Sequence, residues 1–461
     1  MPNSRLIVST PQILFDALSH GYVQFDRIAL LVFDEAHHCT RNHPTNRIMS
    51  GFYHAVPLTQ RVGRVPHILG LSASPVTSGK HGEHETLEKN LNSVCKAPTI
   101  NLQELMRYVY EPRIQKLMFD NRVMSMSIEL HRLLRCVQDY NPLEDPFVKS
   151  LDKQNQSKFL LSRKATKILA NLQTLSRRAK ELHFQIGAWG SSFYIYAYEK
   201  KLAQGLSNYQ GVNMALDAAN LEWQEKAYLH RCLTKILDDE VSSDVAHLYN
   251  FSVSSKAESL LTFLAQNYNS TLRGIIFVKE RSTAAVLSNL ISSHPTTKDR
   301  LAAVPIVGSS DGQGRQTAFD LVDKKDLKTG LADFVSGKKN LLVSTSVTEE
   351  GIDVPAANLV VRYDQPANFR AFIQSRGRAR QSQSLFVWMC GEHEPPSSYE
   401  SWNELEQEMK EKYMDDQRSV NEYDQVDAAE LKYEETLESE STGYAPWTFT
   451  DCFANPLIAH D

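Results

Sequence analysis

The sequence predicts an α/β protein: two parallel-sheet domains separated by an all-α segment and followed by an acidic, helix-prone tail. Three observations carry that reading. Apolar runs of strand length, such as Leu30-Leu31-Val32-Phe33 and Gly274-Ile275-Ile276-Phe277-Val278, alternate with helix-like stretches toward both ends of the chain. Between them glycine and proline become sparse and helical periodicity dominates, as in Lys164–Leu182 and Asn220–Leu237. Charge is uneven: Arg107–Lys201 holds 17 Lys and Arg against 9 Asp and Glu, while Glu392–Asp461 holds 4 against 19.

At 461 residues the chain has room for several domains. A hydrophobic content of 42% is that of a soluble globular protein. The longest apolar runs are strand-length and flanked by charge, so neither a signal peptide nor a membrane span is expected. Six scattered cysteines without a Cys-x-x-Cys pair argue against a disulfide framework or a zinc site. A reducing compartment follows, the cytoplasm first and the nucleus as the alternative. The net charge of −5 does not exclude nucleic acid, because the acidic tail masks a local basic excess.

Taken in order, residues 1–101 read as part of a parallel-sheet domain. Ser9-Thr10-Pro11 opens a helix, with Pro11 at a favoured first-turn position. Ile28–Phe33 is a continuous apolar strand of the kind buried on both faces. His67-Ile68-Leu69-Gly70-Leu71 is another, and Ser72-Ala73-Ser74 follows it. Residues 102–246 read as the helical segment. Residues 247–395 read as a second, nearly complete parallel-sheet domain, with strands at Gly274–Val278, Asn340–Ser344, Asn358–Val361 and Leu385–Met389. Residues 396–461 are the acidic extension: Trp402–Tyr413 has the charge density of an exposed helix, and beyond Glu434 a solvated linker is expected.

Asp34 and Glu35 end an apolar strand. A carboxylate there can hold magnesium through water, and its neighbour can orient and deprotonate an attacking water. The bland alternative is an acidic pair capping the next helix. Ser72 and Ser74 place two hydroxyls at another strand end; alone they read as a cap or turn. In the long polar loop Val343–Pro355, Gly351 permits close backbone approach. Asp353 could accept from a ribose hydroxyl, and Thr345 could donate to a nucleic-acid phosphate. Gln374-Ser375-Arg376-Gly377-Arg378-Ala379-Arg380 sets three arginines at alternating positions; one could neutralise charge on a γ-phosphate while the others brace it or bind nucleic acid. The bland reading is a basic surface turn. A phosphate-cradling Gly-x-x-x-x-Gly-Lys-Ser/Thr is absent from these residues. Ser78-Gly79-Lys80 comes nearest, but His81 follows where a hydroxyl is needed.

The order of these segments resembles superfamily 2 helicases, and more narrowly the Dicer-like branch shared with innate-immune RNA sensors. Ser9-Thr10-Pro11 resembles motif Ib, Asp34-Glu35-Ala36-His37 motif II, Ser72-Ala73-Ser74 motif III, Ile276-Phe277-Val278 motif IV, Ser344–Pro355 motif V and Gln374–Arg380 motif VI. Phe33–Met49 looks most like the fungal Dicer-like proteins. The resemblance spans about Ser4 to Glu392.

It implies two RecA-like lobes, the first incomplete, with a helical insertion between them that grips double-stranded RNA. It implies ATP and Mg2+ as cofactors. Asp34, Glu35, His37 and Arg378 would be catalytic, with Asp34 holding the metal through water. Gly351, Asp353, Gln374, Arg376 and Arg380 would contact nucleotide, and Ser72 and Ser74 would couple the lobes. Thr10, Thr345, Arg163, Lys164, Lys167, Arg177 and Arg178 would touch RNA. The implied function is ATP-driven handling of double-stranded RNA in small-RNA silencing and antiviral defence. A double-stranded-RNA-binding protein partner, a monomeric state and no membrane contact are expected. Motif I and the PAZ and ribonuclease III domains are not found, so the chain is expected to be a piece of such a protein or a truncated product. The rival expectation is an RNA-binding or regulatory remnant without ATPase activity; a DNA-junction helicase of related architecture is the third.

Overall fold

The structure is a computed structural model that describes residues 6–74, 83–97, 102–105, 107–122, 124–162, 164–209, 220–237, 251–308, 321–322, 324–345, 356–392 and 398–413. The chain divides into two compact units. The first comprises residues 1–107, 367–373 and 398–461, the second residues 108–366 and 374–397.

The first unit opens with helix Pro11–Ser19. Thr10 Oγ1 caps it, accepting from Ile13 N at 3.4 Å, and Pro11 occupies its first turn. The apolar Leu6-Ile7-Val8 before it is exposed and forms no strand. β1 (Leu30–Asp34) then pairs in parallel with β2 (His67–Leu71), Leu30 opposite His67 and Asp34 opposite Leu71. Helix Pro44–Ile48 and the π-turn Met49–Tyr53 lie between the strands in sequence, and helix Glu83–Leu91 follows β2. Leu31 and Phe33 pack with Leu18, Ile48, Met49 and Leu87 in one core.

Burial on both faces was expected of β1 and is not what the structure shows. Leu30 and Val32 are each 52% exposed, and Leu69 and Leu71 of β2 are 46% and 49% exposed. Strand side chains alternate, the packed helices serve one face, and among the described residues no layer covers the other. The helix at Ser398–Tyr413 also departs from a purely solvated reading: Trp402 packs its ring against Phe369 and Phe372, 6.5 Å and 5.8 Å between centroids.

The second unit holds a six-stranded, all-parallel sheet in the order β3-β8-β7-β4-β6-β5. These strands are β3 (Arg113–Phe119), β4 (Gly274–Phe277), β5 (Ala303–Ile306), β6 (Leu341–Ser344), β7 (Leu359–Arg362) and β8 (Leu385–Gly391). β4, β6 and β7 are buried along their whole length, as central parallel strands should be. β5 contains Pro305, which lacks the donor an inner strand needs, and it lies at the edge.

β3 corrects the all-α expectation for residues 102–246. Its residues pair with β8 from Arg113 opposite Leu385 to Phe119 opposite Gly391. The helical part therefore begins after it, with helices Ile128–Gln138, Lys167–Ile186, Ala188–Tyr209 and Leu221–Leu237. Ser127 and Thr166 cap the first two of these through Leu130 N and Leu169 N, each at 3.2 Å. Their core residues, among them Leu133, Leu172, Leu182, Ile195 and Leu233, join one continuous cluster with the sheet core. Helical segment and second sheet fall in the same compact unit.

Gly187 is the joint between the two long helices. Its φ of +107° suits glycine, and a Cβ there would lie 2.5 Å from Ser254 N. Without that atom, Ser254 N can donate to Ile186 O at 2.7 Å. The next helix, Ser255–Gln266, starts at once, capped by Ser254 Oγ through Ala257 N.

Candidate functional site

β1 delivers Asp34 at its carboxyl end, and the chain reverses immediately. Glu35 adopts φ 51° and ψ 48°, a left-handed conformation that costs a non-glycine residue on the order of 1 kcal/mol. Asp34 Oδ1 supports the turn by accepting from Glu35 N at 3.0 Å. Ala36 is then drawn onto β2: a Cβ on Gly70 would lie 2.8 Å from Ala36 Cβ, so this approach needs glycine opposite a small residue.

His37 is buried at this junction. Its Nδ1 lies 2.9 Å from Ser72 Oγ and 3.2 Å from Glu35 Oε2. Ser72 donates its own proton to Ser74 O at 2.8 Å and accepts from Ser74 N at 3.2 Å. Its oxygen must therefore accept from His37, which places the imidazole proton on Nδ1. Burial pushes the His37 pKa down to about 3, and the charges of Arg370, His38 and His43 push the same way. The ring is neutral near pH 7, so its 3.2 Å contact with Glu35 Oε2 is not a charge pair.

The result is a continuous polar path from the Asp-Glu turn to the Ser-Ala-Ser turn, inside the first unit. Ser72 and Ser74, read from sequence as couplers between lobes, are seen here joining the two strand ends; Ser74 is buried. Asp34 and the side chain of Glu35 reach solvent. An exposed strand-end carboxylate beside a second one suits a hydrated divalent ion and a base for water. Thr10 has its hydroxyl engaged as a helix cap.

In the second unit, Arg376 ends helix Phe369–Arg376, and the turn after it is tied down. Ala357 N donates to Arg378 O at 3.1 Å, and Arg380 Nε donates to Gly377 O at 2.6 Å. Gln374 is buried, Arg376 and Arg378 are half-buried, and Arg380 is exposed, so the three arginines do not fan out from one surface. Thr345 is buried at the carboxyl end of β6. Gly351, Asp353 and Arg163 lie outside the described residues.

Along helix Lys167–Ile186, the basic residues separate. Lys167 and Arg177 are exposed, as is Lys164 just before the helix. Arg178 is half-buried and acts on the buried Tyr198, because adjacent helix positions differ by about 100°. It is not part of the exposed basic face. Lys180 and Phe184 are, with Phe184 76% exposed. The three- and four-residue spacing from Arg177 was the signal that could have found them. Lys167 Nζ lies 3.4 Å from Glu225.

A second polar centre was not anticipated from sequence. Lys256 Nζ donates to Gln185 Oε1 at 2.6 Å and Asp364 Oδ1 at 3.0 Å, and sits 4.2 Å from the Tyr363 ring centre. Asp364 Oδ2 accepts from Lys279 N at 2.7 Å, and the Tyr363 hydroxyl donates to Gln185 O. These residues line a cavity of about 270 Å3 at the carboxyl ends of β4 and β7. Those neighbouring strands send their onward connections in opposite directions, the position where open parallel sheets bind ligands. The signal, an Asp one residue beyond a Tyr at a strand end, is too common to be read alone.

Comparison with known proteins decides the family. Residues 255–382 match the helicase conserved C-terminal domain. Dicer-like protein 2 of Neosartorya fischeri is 37% identical over 448 residues, which is 95% of this chain and 32% of that protein. Dicer-like protein 2 of Aspergillus fumigatus is 36% identical over the same shares. This chain is a homologue of the fungal Dicer-like proteins. It spans about a third of the length of these relatives. Among solved structures, the Hef helicase domain of Pyrococcus furiosus aligns at a TM-score of 0.39 and 20% identity, covering 86% of this chain and 78% of that one. The helicase match covers the sheet from β4 to β7 and the arginine turn, so a helicase region of the Dicer-like type is the coarse functional assignment. Among the described residues no helix is long and apolar enough to cross a membrane.

Proposed function

We propose that this helicase region handles double-stranded RNA with nucleotide bound, as part of a Dicer-like silencing and antiviral system. The observation that carries the nucleotide half is the path from Glu35 through His37 to Ser72 and Ser74. It gives the Asp-Glu turn a defined geometry and a neutral imidazole partner.

The residues present fit a hydrated magnesium ion: Asp34 is exposed at a strand end and keeps acceptor positions beyond the one used by Glu35 N. Bound there, Mg2+ would neutralise phosphate charge. Glu35 would take a proton from the attacking water, and His37 would hold that carboxylate and Ser72 in register. In the second unit, taken by itself, Arg376, Arg378 and Arg380 would offer positive charge to phosphate oxygens, with Arg376 and Arg378 half-buried and Arg380 exposed. The triphosphate cradle does not fit, because these 461 residues hold no Gly-x-x-x-x-Gly-Lys-Ser/Thr.

The RNA half rests on Lys164, Lys167, Arg177 and Lys180, whose exposed charges suit phosphate contacts that follow RNA shape more than sequence. The test is a salt titration of a short RNA duplex, with ATP hydrolysis followed in parallel. Wild type should bind with a steep salt dependence, and a Lys164→Gln, Lys167→Gln, Arg177→Gln variant with a weaker and shallower one. Equal affinity and slope would remove this face from the RNA site. RNA-stimulated phosphate release abolished by Glu35→Gln would show that turnover needs no cradle from these residues.

A further inference from the structure

Cys136 and Cys232 come from helices Ile128–Gln138 and Leu221–Leu237, which pack against each other in the helical part of the second unit. Arg132 Nη1 donates to Ile236 O at 3.3 Å across the same contact. Cys136 lies one turn after Arg132 and Cys232 one turn before Ile236, so this contact brings the two cysteines together, and both are half-buried rather than sealed. Cys39 and Cys390, by contrast, are buried; burial pushes the Cys39 thiol up to about 12 and keeps it in the unreactive form. We propose that Cys136 and Cys232 form a thiol pair that hydroperoxides oxidise to a disulfide, a redox modification site that clamps these two helices together.

Cys136 is the attacking member. The hydrogen bond from Cys232 stabilises its thiolate and brings its pKa down to about 7; burial and Asp139 oppose this, and Lys235 assists. Cys232 is raised by the same bond, by burial and by the charge of Cys136, while Lys235 and Arg231 oppose the rise; oxidation of Cys136 removes that bond and that charge, which frees Cys232 to act as the resolving member. Tyr228 lies on the same helix as Cys232 and is pushed up, so it remains protonated beside the pair. The Cys136 thiolate attacks one oxygen of the peroxide, the O–O bond breaks, and hydroxide leaves to become water. Cys136 is then a sulfenic acid. Cys232 attacks its sulfur, the S–S bond forms, and the sulfenic oxygen leaves as water with the Cys232 proton. Each cysteine sulfur loses one electron overall, and the peroxide takes both.

The cross-link would close a loop of about 100 residues, near the long end of the range in which a disulfide restricts the unfolded chain. Helix Leu221–Leu237 also reaches helix Lys167–Ile186 through Lys167 and Glu225, so the clamp would stiffen the support of the exposed basic face.

The experiment exposes the full chain to hydrogen peroxide near pH 7.4, blocks remaining thiols, and maps peptides without reduction. One dominant cross-link joining the Cys136 and Cys232 peptides, lost on adding dithiothreitol, is the expected result, with a melting temperature raised by several degrees. In Cys232→Ala, alkylation of Cys136 by iodoacetamide should slow several-fold because the thiolate loses its donor. Cys232→Ser should recover part of that rate while forming no cross-link. Reduced thiols at both positions under conditions that oxidise the half-buried Cys95, or pairing of Cys136 with another cysteine, would overturn the proposal. So would an alkylation rate unchanged in Cys232→Ala.

Discussion

β1 and β7 both open with three aliphatic residues, Leu-Leu-Val and Leu-Val-Val, yet they occupy different environments. β7 is buried at every position, between β8 and β4 in a six-stranded sheet that shares its core with the surrounding helices. β1 has one partner strand and one packed face, and its other side chains are about half exposed. An apolar run reports that a strand can be buried. How far it is buried depends on the layers that the rest of the chain supplies.

That comparison breaks if truncations to alanine cost the same in the two sheets. Leu342→Ala, at a fully buried position of β6, should destabilise by about 2 to 5 kcal/mol. Val32→Ala on the open face of β1 should cost under about 1 kcal/mol, because little apolar area is lost there. Urea midpoints of the two variants measure this, and equal shifts would mean that the open face of β1 is covered in solution.

The next effect is a pH dependence of the first unit. The unfolded imidazole of His37 takes a proton near pH 6.5, the folded one only near 3. The stability it contributes is therefore intact above about 6.5 and falls as pH drops from there toward 3. Between about pH 7.5 and 5 the loss should be about 2 kcal/mol, at roughly 1.4 kcal/mol per pH unit. Denaturation followed at both pH values in wild type and His37→Asn measures it; the variant should lose most of the acid sensitivity, and an unchanged slope would assign that sensitivity elsewhere.

Ser72→Ala should cost about 1 kcal/mol by removing the hydroxyl between His37 and Ser74. It should also change the His37 imidazole resonances in NMR spectra; stability and resonances both unchanged would break the polar path. Smallest of all is Lys167→Gln, whose exposed pairing with Glu225 should contribute under about 0.5 kcal/mol to the melt. A larger shift would make that ion pair a structural element of the helical part.

Much of this was legible in advance because it is local. Asp34 at a strand end, Ser72 after the next strand, four strands of the second sheet and the helix opened at Ser9-Thr10-Pro11 all follow from patterns a few residues wide. β5 was missed because Pro305 argues against a strand unless the strand is known to be an edge. β3 was missed because Arg113–Phe119 is half polar, and its identity as a strand depends on β8, more than 260 residues later. The apolar period of helix Lys167–Ile186 was visible, but the division between exposed Arg177 and inward Arg178 needed the neighbouring Tyr198.

By itself the sequence determined the alternation of strands and helices, the placement of acidic, hydroxyl and arginine groups at strand and helix ends, and the kinship with the Dicer-like helicases. These depend on short-range propensity and on side-chain chemistry that travels with each residue. Tertiary structure alone decided which strands are central, which face of β1 is open, where the His37 proton sits, that Lys256 meets Asp364, and that Cys136 meets Cys232. Each of these is set by contact between segments distant in the chain, and no local pattern encodes the distance at which two such segments come to rest.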